Sequence, residues 1–186
     1  MDVLEAIQSR RSVKRFTERP VAREEIDRIL EAGVLAPNHR MTQPWRFFVL
    51  GPRARRAYGE VLAERKARKV EDPAAAEAVR RKVVEEHAAL PAMVGVAVKL
   101  DANPEVREED YAAAFMAIQN MALTALELGL GTHLKTGAVM EDPRARDALG
   151  VLDDERLVAI LNIGEPAETA ATKPRTPAAE LTRWLP

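Results

Sequence analysis

A basic cluster near the start of the chain contains the side chains with the most evident chemistry. Residues 10–16 read RRSVKRF, which places four cations within six residues. Arginine can donate paired hydrogen bonds to a phosphate, a serine hydroxyl adds another donor, and lysine supplies a compact positive charge. Arg10, Arg11, Ser12 and Lys14 therefore predict an anion site. A solvated basic face is the alternative interpretation of the same residues.

Composition restricts the partners that this cluster could bind. A nucleic-acid surface is a third interpretation, but the formal net charge is -1 and aromatic residues make up only 4% of the chain. Those values provide neither a strong positive field nor many rings on which bases could stack. Composition therefore predicts no nucleic-acid partner and leaves the anion site and the solvated basic face as open alternatives.

Other familiar chemistries are excluded by residue type or spacing. The chain has no cysteine, so disulfides, thiolate metal sites and cysteine nucleophiles are absent. The three histidines do not have the spacing of metal ligands, and we predict no metal. No apolar leader is evident, so we expect a cytoplasmic protein without a membrane partner. A length of 186 residues with 47% hydrophobic content predicts one globular domain over residues 1–186.

A long helix is predicted to organise the elements that position these residues. It runs from about residue 108 to residue 131, with acidic residues 108–110 in its first turn and Gly129 at its end. The polar side chains between Tyr111 and Leu126 are only Gln119, Asn120 and Thr124. No face of such a helix is fully polar, so it must be buried.

The remaining patterns predict shorter elements on both sides of that helix. Apolar, β-branched runs predict buried strands at 46–50, 91–100 and 157–164, and the last two are typical of strands covered on both faces. Helical patterns follow Asp2 and cover 23–35, 53–69, a segment beginning at 73, and 142–149. Between them, residues 37–45 combine two prolines with many polar side chains and predict an ordered loop.

Several of these segments together resemble the FMN-dependent nitroreductase family, in particular its short, single-domain NAD(P)H nitroreductase branch. They are RRSVKRF at 10–16, APNH at 36–39 with QPWRF at 43–47, and AIQNM at 117–121 followed by GLG at 129–131. The resemblance implies an α+β, nitroreductase-like fold with a mainly antiparallel central sheet flanked by helices. It also implies a homodimer with the long helix at the interface and two FMN molecules bound between the subunits.

The resemblance implies roles for individual residues around the FMN. Arg10, Arg11 and Ser12 match positions that hold the phosphate and ribityl chain, and Lys14 matches a position near the pyrimidine edge of the ring. Lys173 and Arg175 resemble a late basic pair that closes on the phosphate.

Two further groups of matching positions surround the flavin ring. Leu35 and His39 match positions contributed by the second subunit, although a buried structural histidine is the alternative for His39. Leu134, Lys135 and Thr136 match a loop along the isoalloxazine, where a backbone N–H of Thr136 or Gly137 can reach N5. Relatives often have an aromatic residue and an arginine at positions 134 and 135, so ring contacts are expected to differ here.

The implied activity assigns no catalytic side chain, because the flavin N5 performs the chemistry. NADH or NADPH would reduce the flavin, and a nitro compound, a quinone or a similar acceptor would then enter the same pocket in a ping-pong mechanism. A non-catalytic flavin-binding or sensing protein is the alternative, followed by a basic interaction module without cofactor.

Overall fold

A four-stranded antiparallel sheet forms the centre of the computed structural model, which describes residues 1–186. The strands are β1 (Trp45–Val49), β2 (Ala92–Lys99), β3 (Gly131–Lys135) and β4 (Glu155–Gly164), and their spatial order is β1-β2-β4-β3. Every neighbouring pair is antiparallel. The predicted α+β class with an antiparallel central sheet is confirmed.

Helices cover both faces of this sheet. They are α1 (Val3–Ser9), α2 (Arg23–Val34), α3 (Pro52–Ala67), α4 (Pro73–Ala88), α5 (Pro104–Glu127), α6 (Pro143–Leu149) and α7 (Ala178–Leu181), and a 3₁₀ turn spans Ala138–Glu141. Helices α2 and α5 share one apolar cluster with the sheet, and α3 and α6 share the cluster on the opposite face. Helix α4 packs on α3. None of the helices is both long and apolar enough to cross a membrane.

The central strands β2 and β4 contribute residues to the apolar clusters on both faces of the sheet. Residues 92–98 of β2 are all buried, as the apolar run predicted, because helices cover both faces at this point. Strand β1 was predicted to be buried as well, and that prediction is wrong. It lies at the edge of the sheet, so three of its residues are only half-buried and Val49 is exposed.

The predicted central helix is confirmed as α5, with a different start. It begins at Pro104 behind the N-cap Asn103, so residues 108–110 lie beyond the first turn rather than within it. One stripe of the helix is also exposed, with Ala112, Phe115, Met116 and Gln119 at i, i+3, i+4 and i+7. The expectation that every face is buried therefore does not hold within one protomer.

Strand β3 was missed by the sequence analysis because its five residues, GTHLK, are short and largely polar. Its register with β4 fixes where its side chains lie. Leu134 pairs with Leu161, which belongs to the cluster under α5, whereas Lys135 pairs with Ile160 on the face covered by α3. Successive residues of β3 therefore point to opposite faces of the sheet.

A close approach at Gly131 connects the basic cluster to this strand. A Cβ at position 131 would lie 2.5 Å from the Val13 Cγ2 atom, so only glycine allows the two segments to meet. Ser12 forms a parallel bridge with Thr132, and the Val13 N–H donates to the Thr132 carbonyl at 2.9 Å. The basic cluster is thereby held against the outer edge of β3.

Candidate functional site

The predicted anion-binding residues line one cleft. It has a volume of about 850 Å³, and its cationic side chains are Arg10, Arg11, Lys14, Lys173 and Arg175. Ser12 lines the same cleft, and Glu168 is the one carboxylate among the lining residues. The fold thus brings together two basic segments that are more than 150 residues apart in the sequence.

Local structure explains how the early basic segment is positioned. Asp2 caps α1 by accepting a hydrogen bond from the Glu5 N–H, and the helix ends at Arg10. Beyond the helix the chain is extended, so Val13 is buried against β3 while Ser12 and Lys14 are exposed. A hydrogen bond from the Ala167 N–H to the Arg15 carbonyl, at 3.0 Å, holds the other side of the segment. Its polar side chains consequently face the cleft and solvent.

Most donors in this cleft have no partner within the chain. The side chains of Arg10, Ser12, Lys14 and Lys173 make no hydrogen bond or ion pair. The Arg11 Nη1 atom differs, because it donates to the carbonyls of Gln8 and Arg10 at 2.5 and 2.9 Å. Unpaired cations that share one cleft repel each other, and a bound polyanion would relieve that repulsion.

The end of β3 provides a second group of free donors. The Thr132 carbonyl points away from β4 toward Val13, so the alternation of a strand also directs the Leu134 N–H to the open edge. Beyond the strand, the N–H groups of Thr136 and Gly137 donate to no group of the chain. Gly137 has φ 114° and ψ -172°, a conformation that favours glycine.

The side chain of Lys135 takes a different direction from those N–H groups. Its Nζ atom lies 3.3 Å from the His87 Nε2 atom on α4, behind the sheet edge. The backbone of Lys135 belongs to the predicted loop, but its ammonium group is directed to the helical layer. This contact follows from the register of β3, which the sequence analysis did not identify.

The hydrogen bonds of His87 define its tautomer. Its Nδ1 atom lies 2.7 Å from the Val83 carbonyl, so Nδ1 carries the proton, and Nε2 must accept from the Lys135 ammonium. His87 is therefore neutral. Burial lowers the pKa of His87, and the neighbouring charge of Lys135 acts in the same direction. Burial likewise lowers the pKa of Lys135, assisted by Lys66.

His39 lies far from the anion cleft of its own protomer, and Leu35, at the end of α2, is 80% exposed and does not line that cleft. The His39 Nδ1 atom lies 2.9 Å from the Glu109 carboxylate in the first half of α5. Ala122, in the second half of α5, and Arg10 line the same neighbouring cleft. Glu109 and Ala122 are thirteen residues apart, which corresponds to about 20 Å of helix. The His39 side chain is 71% exposed, which excludes the alternative of a buried structural histidine in the protomer.

The loop that contains His39 is held in an unusual conformation. Met41 and Gln43 both have positive φ, at 50° and 46°, which is uncommon for residues other than glycine. The Asn38 side chain accepts from the Gln43 N–H at 2.7 Å, and the Thr42 hydroxyl donates to the buried carboxylate of Asp110 at 2.5 Å. The sequence analysis missed Asp110, because an acidic residue among acidic neighbours carries no signal of burial.

Comparison with known proteins connects this geometry to a family. The Nitroreductase family model matches residues 7–165, and the chain belongs to that family. The Bacillus subtilis protein named "Putative NAD(P)H nitroreductase YfhC" is 34% identical over 171 residues, which cover 92% of this chain and 88% of that protein.

Solved structures show the same fold. The nitroreductase-like protein of Bacillus cereus superposes with a TM-score of 0.86 at 27% identity, covering 100% of this chain and 96% of that one. A Desulfovibrio desulfuricans structure in complex with FMN superposes with a TM-score of 0.74 at 28% identity, covering 100% and 98% of the two chains.

The neutral state of buried His87 predicts a pH dependence of stability. The unfolded chain takes up a proton near the ordinary histidine pKa of 6.5, but the folded chain resists it because the folded pKa is lower. The free energy of unfolding should therefore fall as the pH decreases from 7.5 to 5.5, by up to about 1.4 kcal/mol per pH unit for this group. Urea unfolding at a series of pH values measures the slope.

A His87→Gln variant provides the comparison, since glutamine is neutral throughout this range and can still donate and accept. Its slope should be smaller than that of the wild type. Some slope should remain, because burial also lowers the pKa of His133. Equal slopes in the two proteins would show that His87 is not the group that resists protonation.

Proposed function

We propose that this chain is an FMN-dependent NAD(P)H oxidoreductase that passes electrons to a nitro compound, a quinone or a similar acceptor. The observation that carries the proposal is the shared location of two donor groups on the outer edge of β3. The basic cleft meets this edge at Thr132, and the free N–H groups of Thr136 and Gly137 directly follow the end of the strand at Lys135. The membership of the Nitroreductase family and the FMN-bound relative support the same assignment.

The chemistry of the donors fits FMN. A phosphate monoester carries close to two negative charges, and the cleft offers five cationic side chains against one carboxylate. Glu168 is itself 3.5 Å from the Arg15 guanidinium, which reduces its effect on the cleft. Ser12 and Lys14 extend the donors from the phosphate end toward the polar edge of the ring. The N–H groups of Thr136 or Gly137 are available to the ring nitrogen N5.

The bound FMN would accept a hydride from NADH or NADPH at N5 and deliver two electrons to the acceptor. The residues of the chain would bind the FMN and orient its ring. Arg10, Arg11, Ser12, Lys173 and Arg175 hold the phosphate end, and Lys14 favours negative charge near the pyrimidine edge. Leu134 forms an apolar surface beside the ring. No side chain is required to form a covalent bond with either substrate.

We propose that two copies of this chain complete each site. The exposed stripe of α5 and the apolar residues of α1 are left uncovered in one protomer, with Val3, Leu4 and Ile7 between 52% and 74% exposed. A two-fold dimer that pairs α5 with α5 of the partner in opposite directions would cover most of this surface and leave Phe115 on the cavity beside Leu134. It would also bring His39 and Leu35 of the partner subunit to the end of α5 that borders Arg10.

If NAD(P)H and the acceptor bind at the same face of the flavin ring, they must bind in turn, and the mechanism is ping-pong. The sequence contains no separate dinucleotide fingerprint, so NAD(P)H and the acceptor would use the same surface beside Leu134 in turn. We propose that the chain acts as one domain over residues 1–186 in the cytoplasm, where both pyridine nucleotides are available. A non-catalytic flavin-binding protein is the competing function, and it would leave the flavin oxidised when NAD(P)H is added without oxygen.

Replacement of Arg10 tests the anion cleft. Arg10→Ala should weaken FMN binding by about 1.5 to 3 kcal/mol, because a charged hydrogen bond to phosphate is lost. Fluorescence titration of the FMN-free protein with FMN measures the dissociation constant. Arg81→Ala is the control, since Arg81 is an exposed arginine of α4 that does not line the cleft. Equal FMN affinity of Arg10→Ala and the wild type would remove Arg10 from the site.

Mixed dimers test whether two subunits share each site. Co-expression of an Arg10→Ala chain and a His39→Ala chain, with different affinity tags, gives a dimer in which one site carries both substitutions and the other carries neither. If the partner supplies His39, the mixed dimer should recover about half of the wild-type turnover per dimer. If one chain supplied both residues, each site would carry one defect and activity would stay at the level of the single variants.

Initial-rate kinetics test the order of the reaction. With NADPH varied at several fixed concentrations of 4-nitrobenzamide, double-reciprocal plots should give parallel lines, because the first product leaves before the acceptor binds. Intersecting lines, together with simultaneous binding of both substrates, would require a second nucleotide site and would contradict the shared surface.

A further inference from the structure

A cavity of about 750 Å³ lies next to the free N–H groups of Thr136 and Gly137. It is bounded by α5, the end of β3, the 3₁₀ turn and the beginning of β4. Its walls are largely apolar and include Phe115, Leu134, Met140 and Val158. Phe115 and Leu134 are 42% and 40% exposed, so two large apolar side chains line a space that the protomer itself does not fill. A flat apolar ligand suits these walls.

One cation lines this cavity, the guanidinium of Arg156 at the beginning of β4. Its Nε and Nη2 atoms donate to the Glu141 carboxylate at 3.1 and 2.6 Å. Its Nη1 atom lies 3.5 Å from the Tyr111 hydroxyl, and its Cζ atom lies 5.4 Å from the centre of the Tyr111 ring. The guanidinium is thus held from two sides, by a turn and by α5.

The guanidinium of Arg156 keeps two N–H groups that have no partner within the chain. Arginine has five N–H groups in a rigid plane. Glu141 accepts from two of them and Tyr111 lies near a third, which leaves one N–H on each terminal nitrogen. Two parallel donors at the end of a guanidinium match two oxygen atoms that share one plane, as in a nitro or carboxylate group.

We propose that Arg156 is a specificity-determining residue that binds the planar oxygen pair of an aromatic acceptor while the acceptor ring lies between Phe115 and Leu134. The inference rests on the proposed function, because it assigns the substrate class of the same site. Glu141 limits the preference for charge, since its carboxylate lies within hydrogen-bonding distance of the guanidinium and would repel an anionic acceptor. The wild type is therefore expected to bind both nitroaromatic acids and neutral nitroaromatics.

Two acceptors of similar shape and different charge test this assignment. Calorimetric titration of the oxidised FMN-loaded protein with 4-nitrobenzoate and with 4-nitrobenzamide gives dissociation constants without turnover. Arg156→Met should raise the constant for 4-nitrobenzoate about tenfold or more, because a charge-assisted contact is lost. The same variant should raise the dissociation constant for 4-nitrobenzamide by a smaller factor. Arg81→Met is the control, because Arg81 lies on the exposed side of α4, and it should change neither constant.

Glu141→Gln should have the opposite effect. Glutamine keeps an oxygen that can accept from the Arg156 guanidinium, but the negative charge is removed. Binding of 4-nitrobenzoate should tighten severalfold while binding of 4-nitrobenzamide stays the same, and the ratio of kcat/KM for the two acceptors should shift in parallel. If each variant changes the dissociation constants of the two acceptors by the same factor, or if neither variant changes them, Arg156 does not bind the oxygen pair of the acceptor.

The reductive half-reaction separates this inference from the proposed function. Anaerobic NADPH should bleach the flavin of the wild type, and this reading does not depend on which acceptor the protein prefers. A wild type that is not reduced would overturn the proposed function itself. Normal reduction combined with unchanged acceptor selectivity in Arg156→Met and Glu141→Gln would overturn only the role of Arg156.

Discussion

The open outer edge of β3 is the constraint on which the site depends. An edge strand leaves backbone N–H and C=O groups without partners, and such an edge must be covered or used. In this chain the segment around Ser12 and Val13 covers the edge at Thr132, and the edge beyond it stays open. The segment that covers the edge is also the one that carries the basic cluster. The proposed FMN site depends on this arrangement for both its phosphate end and its ring end.

Helix α5 determines why one protomer holds only part of the proposed site. Its second half borders the Arg10 cleft, and its first half holds the loop containing His39 through Glu109 and Asp110. A straight helix keeps these two regions apart, so no rearrangement of a side chain could join them within one chain. The exposed stripe with Met116 is the surface of this helix that the proposed second copy would use. In that proposal, dimerisation and completion of the site are one event.

Charge is distributed on two sides of the β3 edge. Behind it, Lys135 is half-buried against neutral His87, and the charge of Lys66 acts on Lys135. The charge of Lys14 acts on His133 at the same edge. Glu86 opposes part of this positive charge at Lys135. Lys14 makes no ion pair within the chain, and an unpaired positive charge favours a negatively charged ligand. At the far end, Arg156 is balanced by Glu141, so the acceptor cavity has a different electrostatic character.

The sequence by itself determined the elements whose signals are local. The covered strand β2, the helix α5 and the caps at Asp2, Asp72 and Asp142 follow from apolar runs and capping residues. The RRSVKRF segment also identified the basic donors, because their number within six residues is visible without a fold.

The tertiary structure alone decided which of these donors share one cleft and which side chains point to another face of the sheet. Strand β3 has no apolar run of its own, and only its pairing with β4 makes it a strand. That pairing directs Leu134 to one face and Lys135 to the other, and no composition rule predicts the contact of Lys135 with His87, 48 residues earlier in the chain. The burial of Asp110 and the contacts of Arg156 with Glu141 and Tyr111 likewise join distant segments. Such contacts depend on the register of strands and the crossing of helices, which long-range packing fixes after the local elements have formed.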